Sequence, residues 1–304
     1  MIEKKLKRQG IHVLPYKLLV GNIKEMNKLA SEARSKPMEL SHDIATLLNP
    51  MLQKLAMTYK KPIAIWHGTV PCVVIMNPKL IKDIMTRKFE FQKPEVSPTM
   101  KFFLKGLSNI DGDKWAMHRK IINPAFHMEK LKGMLPSFMV CCEEMVEKWD
   151  KLLSSANSCE LDVLPEFQNL TGDIISRAAF GCTHQHLLLD LYQKTQLGEY
   201  SLPAGVNLTI PLYLVQRDPE LWGENAMEFN PERFSDGFTK PFFSFGWGPR
   251  ICIGQNFAML EAKLALAMIL QHFSFELSPT YRHAPYVALT LQPQFGAQIV
   301  LRKI

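Results

Sequence analysis

The chain has 304 residues, room for one large or two modest domains at roughly 100–200 residues each. A hydrophobic content of 47% excludes a disordered polypeptide and allows a buried core. The net charge of +7 (36 Lys and Arg against 29 Asp and Glu) is spread along the chain, and no basic run interleaves with aromatics. That argues against nucleic-acid binding and fits either an ordinary basic protein or one drawn to an anionic membrane surface.

The segment Met1-Ile-Glu-Lys-Lys-Leu-Lys-Arg8 is basic with no apolar stretch behind it, which is neither a signal peptide nor an anchor. Asn22 to Arg34 reads as a mildly amphipathic helix. Ile63–His67 and Cys72–Met76 are β-rich runs around Gly68-Thr-Val-Pro71, the pattern of a hairpin. Asn77-Pro78 then supplies a cap and a first helical position for a helix to about Arg87. Residues 99–109 read as loop and short helix, and Asp111-Gly-Asp113 as a turn before a helix over Lys114–Ile122 that Pro124 stops.

Further along, Pro136 to Leu153 has the clearest 3.6-residue apolar period, and Pro165 to Phe180 is another helix. Residues 197–245 predict short strands and turns, with a helical stretch near 213–222. Gln255 to His272 predicts a helix with Phe257, Leu260, Leu264 and Met268 inward. Val287–Leu291 and Ala297–Leu301 predict a terminal β-pair. The most apolar stretch, Phe257–Leu270, carries Glu261 and Lys263 and is too short to cross a bilayer.

Cysteines stand at 72, 141, 142, 159, 182 and 252 with no disulfide-framework spacing, as in a reducing compartment. Cys141 and Cys142 sit among apolar helical positions and read as core. Cys182, His184 and His186 are metal ligands by residue type, but their spacing fits no standard zinc motif.

Cys252 is different. Residues 245–254 read Phe-Gly-Trp-Gly-Pro-Arg-Ile-Cys-Ile-Gly and run straight into the helical pattern. The positive end of a helix dipole favours a thiolate at such a position. Gly248 and Gly254 let the backbone approach a flat ligand, and Arg250 can reach an acidic group at its edge. Without this context, a cysteine is most often a small buried hydrophobe.

The pattern Phe245-x-x-Gly248-x-Arg250-x-Cys252-x-Gly254 resembles the haem-binding loop of the cytochromes P-450. Pro231-Glu-Arg-Phe234, Trp115-Ala-Met-His-Arg119, Asn123-Pro-Ala-Phe126 and Leu170–Gly181 are also similar to family segments, above all of plant microsomal members, the group that includes secologanin synthase. Trp-x-x-x-Arg alone also describes a core tryptophan beside a surface arginine.

The resemblance implies a mainly α fold with a small β part and a haem cofactor. Cys252 would be the axial iron ligand, Arg119 (with Trp115 on its helix) and Arg250 would meet the propionates, and Phe245 would pack beside the thiolate. It also implies a small apolar plant metabolite as substrate, electrons from a flavoprotein NADPH reductase, and residence at the cytosolic face of the endoplasmic reticulum membrane. With no anchor read in the chain, membrane contact is expected to be peripheral or the protein cytosolic.

Two family signatures are missing. No Glu-x-x-Arg occurs, and no Ala/Gly-Gly-x-Asp/Glu-Thr of the oxygen-activating helix. The expectation is a partial P-450 fold lacking that helix. Residues 1–185 would be the N-terminal half of one domain and 186–304 its haem-thiolate part, joined near 183–190 where the central helices are lost. No catalytic residue is assigned, and activity is expected to be impaired; the competing reading is a non-catalytic haem-binding or partner-binding remnant. Arg233 would lose its carboxylate, and a buried unpaired cation costs roughly 3–5 kcal/mol. Apolar surface near Met139 and Phe180 would be uncovered.

Overall fold

The computed structural model describes residues 2–304 except 36–37, 42, 60, 88–89, 94–105, 108, 155, 179–186, 192, 236–241 and 288–290. Cys182, His184, His186, Phe180 and most of 99–109 therefore lie outside the described residues. The chain forms two compact units, each assembled from separated stretches. One comprises residues 1–117, 184–251 and 287–291; the other comprises 118–183, 252–286 and 292–304.

The first unit is built on a five-stranded sheet in the order His12–Val13, Ile63–His67, Val70–Val74, Asn207–Ile210, Leu187–Asp190. The hairpin forms as expected, with Ile65 opposite Cys72 and Gly68 turning at φ 59°. Val73 then pairs in parallel with Leu208. Successive strand residues point to opposite faces, and here both faces are covered. Ala64, Trp66, Val73 and Ile75 pack with Ile81, Ile84, Leu208 and Phe243. Ile63, Ile65, Cys72 and Val74 pack with Met51 and Leu52. Two-sided burial explains why these strands read as continuous apolar runs.

The helix Pro78–Thr86 starts as expected, with Asn77 Oδ1 accepting from the Lys79 and Leu80 amides. The helical stretch near 213–222 is two single turns, Leu212–Val215 and Pro219–Trp222.

The second unit is helical with one sheet. Met128–Leu153 packs against Val163–Ala178 and Gln255–His272 around Leu131, Phe138, Cys142, Met145, Trp149, Ile174, Phe257 and Ile269. The first of these helices begins at Met128, not Pro136; proline signals a first turn in sequence, yet here it sits within the helix. Cys141 and Cys142 are buried, as read from their spacing.

The terminal strand Gln298–Lys303 lies between Cys159–Asp162 and Phe273–Leu277, antiparallel to both. The expected pairing with 287–291 gives way to this three-stranded arrangement. Asp162 lies 136 residues before its partner Gln298, a separation that leaves no local signal. Met139 and Val140 on the long helix, and Met259, Leu266 and Leu270 on Gln255–His272, are exposed.

Candidate functional site

The cysteine loop and its helix carry the site. Gly246 and Gly248 hold left-handed backbone at φ 77° and 66°, and Gly248-Pro-Arg250 makes a single 3-10 turn. A Cβ on Gly248 would stand 2.8 Å from the Met85 carbonyl oxygen, so a protein neighbour already requires glycine there. Gly254 is the N-cap of Gln255–His272, and a Cβ there would meet Phe126 and the Cys252 sulfur at ordinary contact distances. The boundary between the units falls between Ile251 and Cys252 and again within helix Gly112–Ile122, which carries both Trp115 and Arg119.

In the second unit, Cys252 is partly exposed two residues before the N-cap. Burial pushes the pKa of Arg119 down, and the charge of Cys252 pushes it back up. Arg119 Nε donates to Asn123 Oδ1 at 2.7 Å, which ties the arginine to the Asn123–Phe126 turn. Phe126 packs edge-on to Phe257, and Phe257 on Phe138 at 4.9 Å between centroids. The start of the cysteine helix is thus wedged by aromatic rings.

That helix turns the expected residues to the core, and a second stripe goes deeper. Phe257, Glu261, Ala265 and Ile269 are buried, while Leu260, Leu264 and Met268 are only partly so. The inner stripe runs through a carboxylate. Glu261 is 8% exposed, and its Oε1 has no hydrogen-bond partner among the described residues. Burial raises its pKa to about 7.

In the first unit, Trp115 is buried and the Arg250 guanidinium lies over its ring, 5.5 Å from the centroid. Arg250 is ion-paired to Asp111. Asp111 Oδ2 also accepts the Lys93 amide at 2.6 Å. Burial lowers the Lys93 pKa to about 8, assisted by the Arg250 charge and opposed by that of Asp111. Phe245 is half-buried in the same unit. Asp111, read from sequence as a turn residue, and Lys93 are neighbours that the sequence did not single out; Phe126 was read only as part of a family-like segment.

Arg233 overturns an expectation. It donates to the carbonyl oxygens of Asn230, Trp222, Asn225 and Glu228, at 2.8–3.4 Å. These oxygens take up the donors that a carboxylate would otherwise satisfy, so the cost of an unpartnered cation does not arise. Gln216 donates to Ser244 Oγ at 3.2 Å.

Comparison with known proteins decides the family. Residues 40–188 and 190–294 match the cytochrome P450 family. The chain belongs to the cytochrome P450 family. It is 33% identical to cytochrome P450 72A552 of Barbarea vulgaris and 32% identical to cytochrome P450 72A15 of Arabidopsis thaliana, in alignments that cover all of this chain and 93% and 94% of those proteins. It is 32% identical to 11-oxo-beta-amyrin 30-oxidase of Glycyrrhiza uralensis, over all of this chain and 93% of that protein. The Barbarea alignment runs over 479 positions, so at least 175 of them have no residue in this 304-residue P450 chain.

The donor set fits the family's haem. One thiolate is too few ligands for a bare ion but suits an iron that brings four ring nitrogens of its own. Arg119 lies in the same unit as Cys252, and the charge of Cys252 raises its pKa against the effect of burial. Among the described residues no helix is long and apolar enough to cross a membrane.

Proposed function

We propose that this P450 chain binds haem through the Cys252 thiolate and that its oxygen chemistry is impaired. The observation that carries the reading is a partly exposed cysteine two residues before the N-cap of a helix whose first turn is packed by Phe126 and Phe138. When bound, haem supplies the chemistry by which this family inserts one atom of O₂ into a substrate. The chain's own part is positioning. Arg119 in one unit and Arg250 in the other are each proposed as a guanidinium for a ring carboxylate, and Arg250 lies over the Trp115 ring. Phe245 is the apolar neighbour proposed for the thiolate, and Gly248 and Gly254 are the positions proposed to let a flat ligand approach the backbone.

The substrate class proposed is a small apolar plant metabolite, supported by the triterpenoid named in the Glycyrrhiza relative. A flavoprotein NADPH reductase would deliver electrons. The proposed site of action is the cytosolic face of the endoplasmic reticulum, with peripheral membrane contact. Leu18 and Leu19, 78% and 71% exposed, support that contact. They stand on a loop pinned to the hairpin by Asn22, whose Oδ1 accepts the Trp66 amide at 2.8 Å. Leu19 holds a left-handed φ of 62° that leucine rarely adopts. Eight of the first 34 residues are Lys or Arg against three Glu, a charge suited to anionic lipid.

Impairment follows from the sequence. The family resemblance implies a positioned acid–alcohol pair as proton donor for the oxygen chemistry that haem would supply, and this chain has no such motif. Loss of positioned proton transfer costs roughly 10²–10⁴-fold. The break in the family match at residue 189 and the unfilled alignment positions support a missing central segment. A non-catalytic haem-binding remnant is the second reading, favoured by the exposed apolar faces of the second unit.

The deciding experiment loads the purified chain with haem and records the reduced, CO-treated spectrum. Thiolate ligation gives the red-shifted Soret band of the family. Cys252→Ser should abolish it and Cys141→Ser should not; an unchanged spectrum in Cys252→Ser sinks the assignment. With reductase and a terpenoid panel, NADPH should be consumed and peroxide formed without oxygenated product. Stoichiometric product per NADPH would refute impairment.

A further inference from the structure

The first unit holds a cavity of about 480 Å³, and none of the residues proposed for haem lines it. Its walls are built locally. Two single helical turns, Leu212–Val215 and Pro219–Trp222, are followed by the 3-10 turn Pro231–Phe234. Asp218 and Asn230 cap the last two by accepting the Glu220 and Glu232 amides. Arg233 ties the chain between them through the carbonyls of Trp222, Asn225 and Glu228. Walls fixed in this way spare a ligand the cost of ordering them.

One wall is aromatic. Trp222, Phe234 and Phe242 stand 5.3–6.3 Å apart between centroids, edge-on or tilted. Phe234 and Phe242 are 43% and 40% exposed, which leaves ring surface for a flat apolar body. Another wall carries charge. Arg217 and Arg233 both line the cavity, but the Arg233 donors are taken by carbonyls. Arg217 makes one long hydrogen bond among the described residues, from Nη1 to the Tyr213 carbonyl at 3.4 Å, and no ion pair. Burial lowers its pKa and the Asp43 charge opposes this. Ser244 Oγ accepts from Gln216, which leaves its O–H to donate, and both residues line the cavity.

We propose that this cavity binds a flat, fused-ring monocarboxylic acid, with its rings on the Trp222, Phe234 and Phe242 wall and its carboxylate on Arg217 and Ser244. The volume falls within the roughly 300–1,000 Å³ of small-molecule sites. One guanidinium with donors to spare selects one carboxylate, whose two oxygens match its fork. An uncharged ring of the same shape gains only the apolar contact. The site does not depend on haem and is tested without it.

The probe is 2-naphthoate, with 2-naphthalenemethanol as its uncharged counterpart, each titrated calorimetrically into the full chain at equal ionic strength. Naphthoate should bind at one site, at least about tenfold tighter than the alcohol. Arg217→Gln should erase that difference by weakening naphthoate alone, and Arg217→Lys should keep part of it. Ala226→Phe puts a ring into the cavity and should remove binding of both probes. A diazirine-bearing benzoate, photolysed with the chain and read by mass spectrometry, locates the site. Label should fall within 212–234 or 242–244, and 2-naphthoate should compete for it.

Equal affinity of the two probes in the parent, or an unchanged difference in a folded Arg217→Gln, overturns the proposal. Label on the cysteine loop or near Arg119 also overturns it, since the acid would then be using residues proposed for haem. Should Arg217→Gln not fold, the parent comparison and the position of the label still decide.

Discussion

Glu261 offers the sharpest quantitative test of the second unit's core. Its carboxyl is buried on the inner face of the cysteine helix, one oxygen has no partner among the described residues, and burial raises the pKa from 4.5 to about 7. A carboxyl with a raised folded pKa binds its proton more tightly in the native state. Its contribution is then fully present below the unfolded pKa near 4.5 and is lost as pH rises through about 7. The shift corresponds to about 3 kcal/mol between the two limits.

The nearby Cys142 thiol reinforces the sign. Burial first, then Cys141, Glu261 and Glu143, push it up to about 11, so it stays neutral across this range and cannot compensate. Glu261→Gln removes the titration. Urea unfolding of parent and variant should show the variant gaining on the parent by less than about 1 kcal/mol near pH 5 and by about 3 kcal/mol near pH 8.5. The pH dependence is the readout, because any constant cost of the buried amide cancels in the difference. A gap between parent and variant that is the same at both pH values would refute the argument.

Gly248→Ala should destabilise the first unit by about 2 kcal/mol or more, since it adds a Cβ at left-handed φ against the Met85 carbonyl. Gly106→Ala, with open space at its Cβ, should stay within about 0.5 kcal/mol; urea midpoints compare them, and equal effects would contradict the packing. Replacing Leu18 and Leu19 together by Ser should weaken sedimentation with phosphatidylserine-containing vesicles at least about tenfold without changing the melting temperature. The chain should bind a hydrophobic dye, and Leu266→Gln with Leu270→Gln should reduce that signal; a monodisperse parent that binds no dye would remove the case for uncovered apolar surface.

The sequence by itself determined the features whose parts are adjacent along the chain. The hairpin, the Asn77-Pro78 helix start, the cysteine loop and the one-helix pair Trp115 and Arg119 all lie within spans of a dozen residues, where backbone geometry and local capping decide the outcome. The family was legible for the same reason, since its loop pattern is contiguous.

Tertiary structure alone decided that Glu261, Ala265 and Ile269 of Gln255–His272 go deeper than the Leu260, Leu264 and Met268 stripe read from sequence. That helix is apolar on several sides, so no stripe in the sequence distinguishes them, and packing against Phe138 and Phe126 brings Glu261 inside. It likewise decided that the terminal strand pairs with Cys159–Asp162 and Phe273–Leu277, and that Arg233 finds backbone carbonyls in place of a carboxylate. The Arg250–Asp111 pair joins residues 139 positions apart. Charge attraction between distant residues depends on where the fold delivers them, and neither residue type nor spacing along the chain carries that information.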